Sequence, residues 1–215
     1  MALVINNVSN GNFSNDTTFS YDGGTGTRVL LIFFGIDDSS DDIVGVTYGG
    51  QSMQEGGKVI SDATAAVQFF YLVNPTPTGS QTVSINASGS DTYVRTIMYI
   101  TGTDAVDPIG AIDADGANIG DDAGPDVNIT PQQSGSLLLA AFCSDTATAM
   151  AATGGSSEVA DSGSGVRLGV YQKTSTSTSV HNIACTSADD DWAALAVEIL
   201  PESTVTYTVD VNDAI

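Results

Sequence analysis

Basic residues are nearly absent from this chain. Five lysines and arginines face 26 aspartates and glutamates, which gives a formal net charge of −21 over 215 residues. Lysine occurs at Lys58 and Lys173, arginine at Arg28, Arg95 and Arg167, and histidine once, at His181. A surface this short of cations offers nothing to phosphates, which argues against nucleic acid and anionic membrane as partners. The two cysteines, Cys143 and Cys185, form no Cys-x-x-Cys pair and no Cys/His cluster, so the sequence has no zinc signature. Their apolar flanks favour buried free thiols, while a disulfide between neighbouring strands stays open at this level. The longest apolar run, Val29 to Phe34, is far too short to span a bilayer. The segment Met1-Ala2-Leu3-Val4-Ile5 has no cationic leader and reads as a first strand. The expectation is a protein kept in the cytoplasm, or one released without a signal peptide, as inside an assembled particle.

Catalytic signatures are scarce as well. His181 stands in Ser179-Val180-His181-Asn182-Ile183, a strand-like context without a nucleophile elbow elsewhere in the chain. The glycine runs Gly23-Gly24-Thr25-Gly26 and Ser162-Gly163-Ser164-Gly165 lack the lysine and the helix of a phosphate loop and read as turns. Aromatics make up 7% of the chain, with one tryptophan, Trp192, which is a poor supply for a glycosidase cleft. No enzymatic activity is expected.

What the chain has in excess is carboxylate, mostly aspartate. Such a surface repels itself in dilute buffer. Concentrated salt relieves this by shrinking the Debye length to about 3 Å at 1 M. Divalent cations relieve it by binding carboxylates directly. The charge therefore points to a salty or divalent-rich setting and to a halophilic source, against the plainer reading of acidic loops on an ordinary secreted β-protein. One acidic cluster is site-like: Asp113, Asp115, Asn118, Asp121, Asp122 and Asp126. Ca²⁺ takes six to eight oxygens, which loops rich in Asp and Asn can supply. The Asp113-x-Asp115-Gly116 start fails the EF-hand spacing, and no glutamate closes the ring. These six residues are the candidate Ca²⁺ or Mg²⁺ ligands, and a hydrated acidic surface is the alternative.

Short runs of Val, Ile, Phe and Tyr, punctuated by Gly, Ser, Thr, Asn and Asp, fill the chain. Strands are predicted over 2–8, 16–21, 27–36, 43–48, 51–60, 64–73, 81–87, 92–101, 127–129, 136–143, 166–173, 180–186, 192–200 and 204–211. In 81–87, Val83, Ile85 and Ala87 alternate with Ser84 and Asn86, and 93–100 is assigned one wet face in the same way. The run 29–34 is apolar on both faces, as a strand covered on both sides would be. Tyr48-Gly49-Gly50-Gln51 reads as a tight hairpin, and Asn74-Pro75-Thr76-Pro77-Thr78-Gly79 as a turn. Residues 103–126 show no strand pattern and read as a long loop. The fold class is all-β: an antiparallel β-sandwich, jelly-roll-like, over 1–201, with an appended C-terminal strand in 202–215. That strand alternates strictly from Thr204 to Val211, which suits pairing with its own sheet edge or with a neighbouring subunit. The three arginines, each in or beside a predicted strand, are expected to pair with aspartates or to cross a subunit boundary.

Four stretches carry a resemblance. They are Val46-Thr47-Tyr48-Gly49-Gly50-Gln51-Ser52-Met53; Phe70-Tyr71-Leu72-Val73-Asn74-Pro75 followed by Thr78-Gly79-Ser80-Gln81-Thr82-Val83-Ser84-Ile85; Tyr99-Ile100-Thr101-Gly102-Thr103-Asp104 with Asp107-Pro108-Ile109-Gly110; and Trp192-Ala193-Ala194-Leu195-Ala196-Val197-Glu198-Ile199-Leu200-Pro201. In order and spacing, over roughly 40–201, this set resembles β-sandwich domains of structural proteins of tailed viruses and of related bacterial surface proteins. The resemblance implies a jelly-roll-like sandwich that works in virion or surface architecture, with no catalytic residues. Taken with the acidity, it implies a homo-oligomeric capsid decoration, turret or fibre protein on the particle surface of a virus of a halophilic host, contacting other capsid or tail proteins. The alternative is a glycan- or receptor-binding module whose contact is the 103–126 loop and the turns at one end.

Overall fold

The computed structural model describes residues 2–37, 42–61, 65–89, 92–113, 124–146, 148–186 and 192–203. The first nine strands are β1 (Val4–Phe13), β2 (Thr17–Asp22), β3 (Arg28–Ile36), β4 (Ile43–Tyr48), β5 (Gln51–Ser52), β6 (Gln54–Ile60), β7 (Ala66–Val73), β8 (Ser80–Ala87) and β9 (Tyr93–Thr101). They are followed by β10 (Ile109–Asp113), β11 (Asp126–Ile129), β12 (Leu137–Ser144), β13 (Ala151–Thr153), β14 (Ser157–Gly163), β15 (Arg167–Thr174), β16 (His181–Thr186) and β17 (Trp192–Ile199). All the strand pairs are antiparallel.

These strands make four sheets in four layers. The first half forms an inner sheet, β1-β9-β3-β7-β6, and an outer sheet, β2-β8-β4-β5. The second half forms an inner sheet, β10-β17-β12-β15-β14, and an outer sheet, β11-β16-β13. Apart from β5, which has no counterpart in the second outer sheet, the two orders are one order written twice, with jelly-roll connectivity in both. The span 1–201 thus holds two sandwiches of the same topology.

The repeat extends to individual rungs. Val29 lies opposite Val73 and Ile100, and Ile36 opposite Ala66 and Tyr93. In the second half Leu137 lies opposite Thr174 and Ile199, and Ser144 opposite Arg167 and Trp192. A register shift between Glu55 and Gly57 opposite Phe70 and Phe69 recurs between Glu158 and Ala160 opposite Tyr171 and Val170. Bulges re-aim a strand at a defined place, so a shared bulge marks a shared plan. Both halves also turn on a Gly-Gly pair with positive φ, 55° and 82° at Gly49-Gly50 and 61° and 79° at Gly154-Gly155. A primed hairpin turn needs that conformation, which only glycine enters without strain.

Three apolar cores hold the layers together. Val29, Leu31 and Phe33 of β3 face Leu137, Leu139, Ala141 and Cys143 of β12, which joins the two inner sheets back to back. The opposite face of β3, with Leu30, Ile32, Phe34 and Ile36, packs on Val46, Tyr48, Val83 and Ile85 of the first outer sheet. The opposite face of β12, with Leu138, Ala140 and Phe142, packs on Ile183, Cys185, Val127 and Ile129 of the second. Every residue of β3, β12 and β17 is buried. This accounts for the run of apolar residues in β3 and for the small residues of β12 and β17, which let flat sheets approach on both sides.

Several expectations need correction. The stretch 103–126 contains a strand: β10 pairs with β17, placing Ile109 against Ile199. Its apolar content is slight, and the partner strand rather than its own pattern orders it. β9 has no wet face, because Tyr93 and Ile97 are buried under the first outer sheet while Val94, Met98 and Ile100 enter the shared core. The predicted strand 51–60 breaks at Met53, with β5 in the outer sheet and β6 in the inner one. β13 and β14 were not predicted, since Ala151-Ala152-Thr153 and Ser157–Gly163 carry few β-branched or aromatic side chains. The alternating tail 204–211 lies outside the described residues.

Candidate functional site

A groove of about 780 Å³ lies over the first outer sheet. Inward-facing Phe19, Val46, Val83 and Ile85 leave the intervening residues of each strand on the outside. Four of these outer residues are hydroxylic and in register. Thr18 lies opposite Ser84, Ser84 opposite Thr47, and Thr47 opposite Ser52. Asn86 continues the polar surface, and a register shift between Ile43 and Gly45 marks a bulge at Val44, which is 62% exposed. Two carboxylates stand on the lining. Asp16 Oδ1 accepts the Ala87 backbone N–H at 2.9 Å, and Glu55 Oε1 accepts the Gln68 side-chain amide at 2.9 Å. Alternation alone made Ser84 and Asn86 read as an ordinary solvated face. The row becomes visible only when pairing aligns four strands.

The buried charges are structural anchors. Arg28 is 2% exposed, and its guanidinium meets carbonyls where an aspartate was expected. It donates to Gly23 O at 2.6 Å, Gly26 O at 2.7 Å, Pro77 O at 3.1 Å and Pro75 O at 3.2 Å. Planar donors on five N–H groups suit this fan of acceptors, which ties the Pro75–Gly79 turn to the base of β3. Among the described residues no aspartate pairs with Arg95: it stacks 3.4 Å from the Phe19 ring centroid, and its burial lowers its pKa to about 10. Arg167 does form the expected pair, with Nε 2.5 Å from Asp161 Oδ1. That hydrogen bond raises its pKa. Glu198, fully buried on β17, was not singled out in the sequence. Its carboxylate accepts the backbone N–H groups of Ala111 at 3.0 Å, Gln132 at 2.9 Å and Gln133 at 3.3 Å. Gly110 makes room for it, because a Cβ there would fall 2.4 Å from Glu198 Oε2.

The other candidates resolve as follows. Of the predicted cation ligands, Asp113 ends β10 and Asp126 begins β11, where its Oδ2 accepts the Asn182 amide at 2.6 Å. Asp115, Asn118, Asp121 and Asp122 lie outside the described residues. Among the described residues no three carboxylate, thiol or imidazole groups converge. His181 is buried, with Nε2 3.2 Å from Ser177 O, and Trp192 is a core residue of the second sandwich. Cys143 and Cys185 are free and sit in different cores. Burial pushes both thiols up to about 12. Where the chain leaves β17, Thr103 bridges Pro201 and Glu202 N–H donates to Gly102 O at 2.8 Å. The Ser203 hydroxyl, followed by the Asp107 and Val106 N–H groups, holds the Asp104 carboxyl down to about 2.

No family model matches the chain, and the curated proteins and the solved structures give no match either.

Proposed function

We propose that the chain is a structural protein of a virus particle, a decoration, turret or fibre subunit that works by binding copies of itself and the shell. The observation that supports this most is the placement of exposed apolar side chains. Val4 and Val8 of β1, Ile60 of β6 and Ile112 of β10 are 48%, 39%, 45% and 41% exposed. All four lie on strands at the edges of the two inner sheets. An edge strand presents unpaired N–H and C=O groups, and proteins that stay monomeric blunt such edges with charge or proline. Of these edges, β1 holds no charged residue and no proline and sets Val4 and Val8 in solvent, while β6 and β10 place Ile60 and Ile112 beside Glu55, Lys58 and Asp113. The two sandwiches, welded by one core, supply a stiff body between those edges. A surface of this net charge then keeps assembled copies apart except where apolar edges meet, and salt strengthens the contact by screening the charge.

The test is to place lysine on one edge. Val4→Lys with Val8→Lys is expected to weaken self-association in sedimentation velocity by at least about tenfold, worth about 1.4 kcal/mol. The far-ultraviolet spectrum and unfolding midpoint should stay unchanged, because both side chains already face solvent. Unaltered association would remove the β1 edge from the proposal.

A further inference from the structure

We propose that the groove over β2, β8, β4 and β5 is a binding site for neutral carbohydrate chains. This goes beyond the assembly reading and does not rest on it. The volume, about 780 Å³, falls within the range of about 300–1,000 Å³ typical of small-molecule sites. The row Thr18, Ser84, Thr47, Ser52 crosses four strands. At the ordinary inter-strand spacing it runs for about 14 Å, long enough for several sugar units.

The chemistry of the lining suits a polyol. Among the described residues none of the four hydroxyls, nor the Asn86 amide, is engaged in a hydrogen bond within the protein. Each hydroxyl can donate and accept, and Asn86 does both with separate atoms, which matches sugar hydroxyls that also do both. Asp16 and Glu55 are held by one oxygen each, so their positions are set before a ligand arrives. A carboxylate fixed in this way accepts charge-assisted hydrogen bonds from ligand hydroxyls. Val44, pushed outward by the bulge, gives an apolar contact for the C–H face of a ring. No lysine, arginine or histidine lines the groove, and two carboxylates do, so sialylated, sulfated or uronic chains are disfavoured. The corresponding face of the second sandwich is spent on itself: the Asn182 amide donates to Asp126 at 2.6 Å and to Asn128 at 3.2 Å. The strands β11-β16-β13 match β2-β8-β4 in order, but the unspent chemistry differs, and the first sheet is the one that offers it to a ligand.

The experiment is a printed array of neutral oligosaccharides and their sialylated, sulfated and uronic counterparts, probed with the full chain in about 1 M KCl to screen its charge. Binding to one or more neutral chains, with none to the acidic counterparts, is expected. Gly45→Trp then fills the groove. A Cβ at Gly45 meets nothing within 4 Å, and its φ is not positive, so the substitution is compatible with the fold. It should reduce binding by at least about tenfold with an unchanged unfolding midpoint. Thr47→Val with Ser84→Ala, which keeps the shape and removes two hydroxyls, should also weaken binding. Silence on all neutral chains, or binding that survives both Gly45→Trp and the Thr47→Val, Ser84→Ala pair, overturns the proposal.

Discussion

Residues 2–106 produced alone are expected to fail to hold a native fold, and so are residues 107–203. Each fragment keeps all the strands of one sandwich, but each also exposes its side of the shared core. The first would bare Val29, Leu31, Phe33, Val67, Phe69, Val94 and Met98, and the second Leu139, Ala141, Leu168, Val170, Leu195 and Val197. An apolar face of this kind on a solvated sheet drives association or collapse. The fragments should be insoluble or molten when made separately and should recover a sharp unfolding transition when refolded together. The cut falls in the turn at Val106, which is 87% exposed, and its local cost is the Asp107 N–H hydrogen bond to Asp104 Oδ1 at 3.0 Å. A first fragment that unfolds cooperatively by itself would show that the sandwiches are independent beads on a string. Calorimetry of each fragment and of the mixture reads this directly.

Glu198→Ala is expected to cost about 4 kcal/mol, because three backbone N–H groups lose their acceptor inside the protein. For a chain of this size that lowers the unfolding midpoint by about 8–16 °C. Glu198→Gln should cost less, since one carbonyl oxygen remains, but its amide would point donors at donors. The loss should be local at first. Hydrogen exchange should rise at Ala111, Gln132 and Gln133 before it rises in β12, because Glu198 fastens the turn at Gln132 and Gln133 to β17 and adds a bond to the ladder that holds β10. A midpoint within a degree or two of the parent would mean that water replaces the carboxylate at no cost.

Much of the first sandwich was readable from residue patterns. Burial of β3 on both faces followed from Val29-Leu30-Leu31-Ile32-Phe33-Phe34, and the one-sided burial of β8 from its alternation. The Gly49-Gly50 turn followed from local chemistry, and the burial of Cys143 and Cys185 from their apolar flanks, which left their pairing open. The existence of a second, equal sandwich did not, because the repeat is written in register and bulges rather than in residue types. Phe33 and Ala141 hold the same rung on opposite sides of one core, and no hydropathy pattern equates them. The one local trace was the second Gly-Gly pair at Gly154-Gly155. Arg28 misled for a related reason: carbonyls leave no signature in side-chain sequence, so an arginine that binds only backbone looks unpaired. The groove was hidden because its hydroxyls belong to four strands that are distant in sequence. Of the six acidic candidates, Asp126 is bonded to Asn182, and Asp115, Asn118, Asp121 and Asp122 lie outside the described residues.

Self-association is the claim on which the functional account stands. Its most direct test is the mass in solution of the full chain beside a chain ending at Pro201, both in about 2 M KCl where the charge is screened. The account predicts a discrete oligomer for the full chain. For the shortened one it predicts smaller species with an unchanged fold, because the alternation from Thr204 to Val211 suits a strand added to a neighbour's sheet. A full chain that remains a monomer at every concentration and salt level would contradict it.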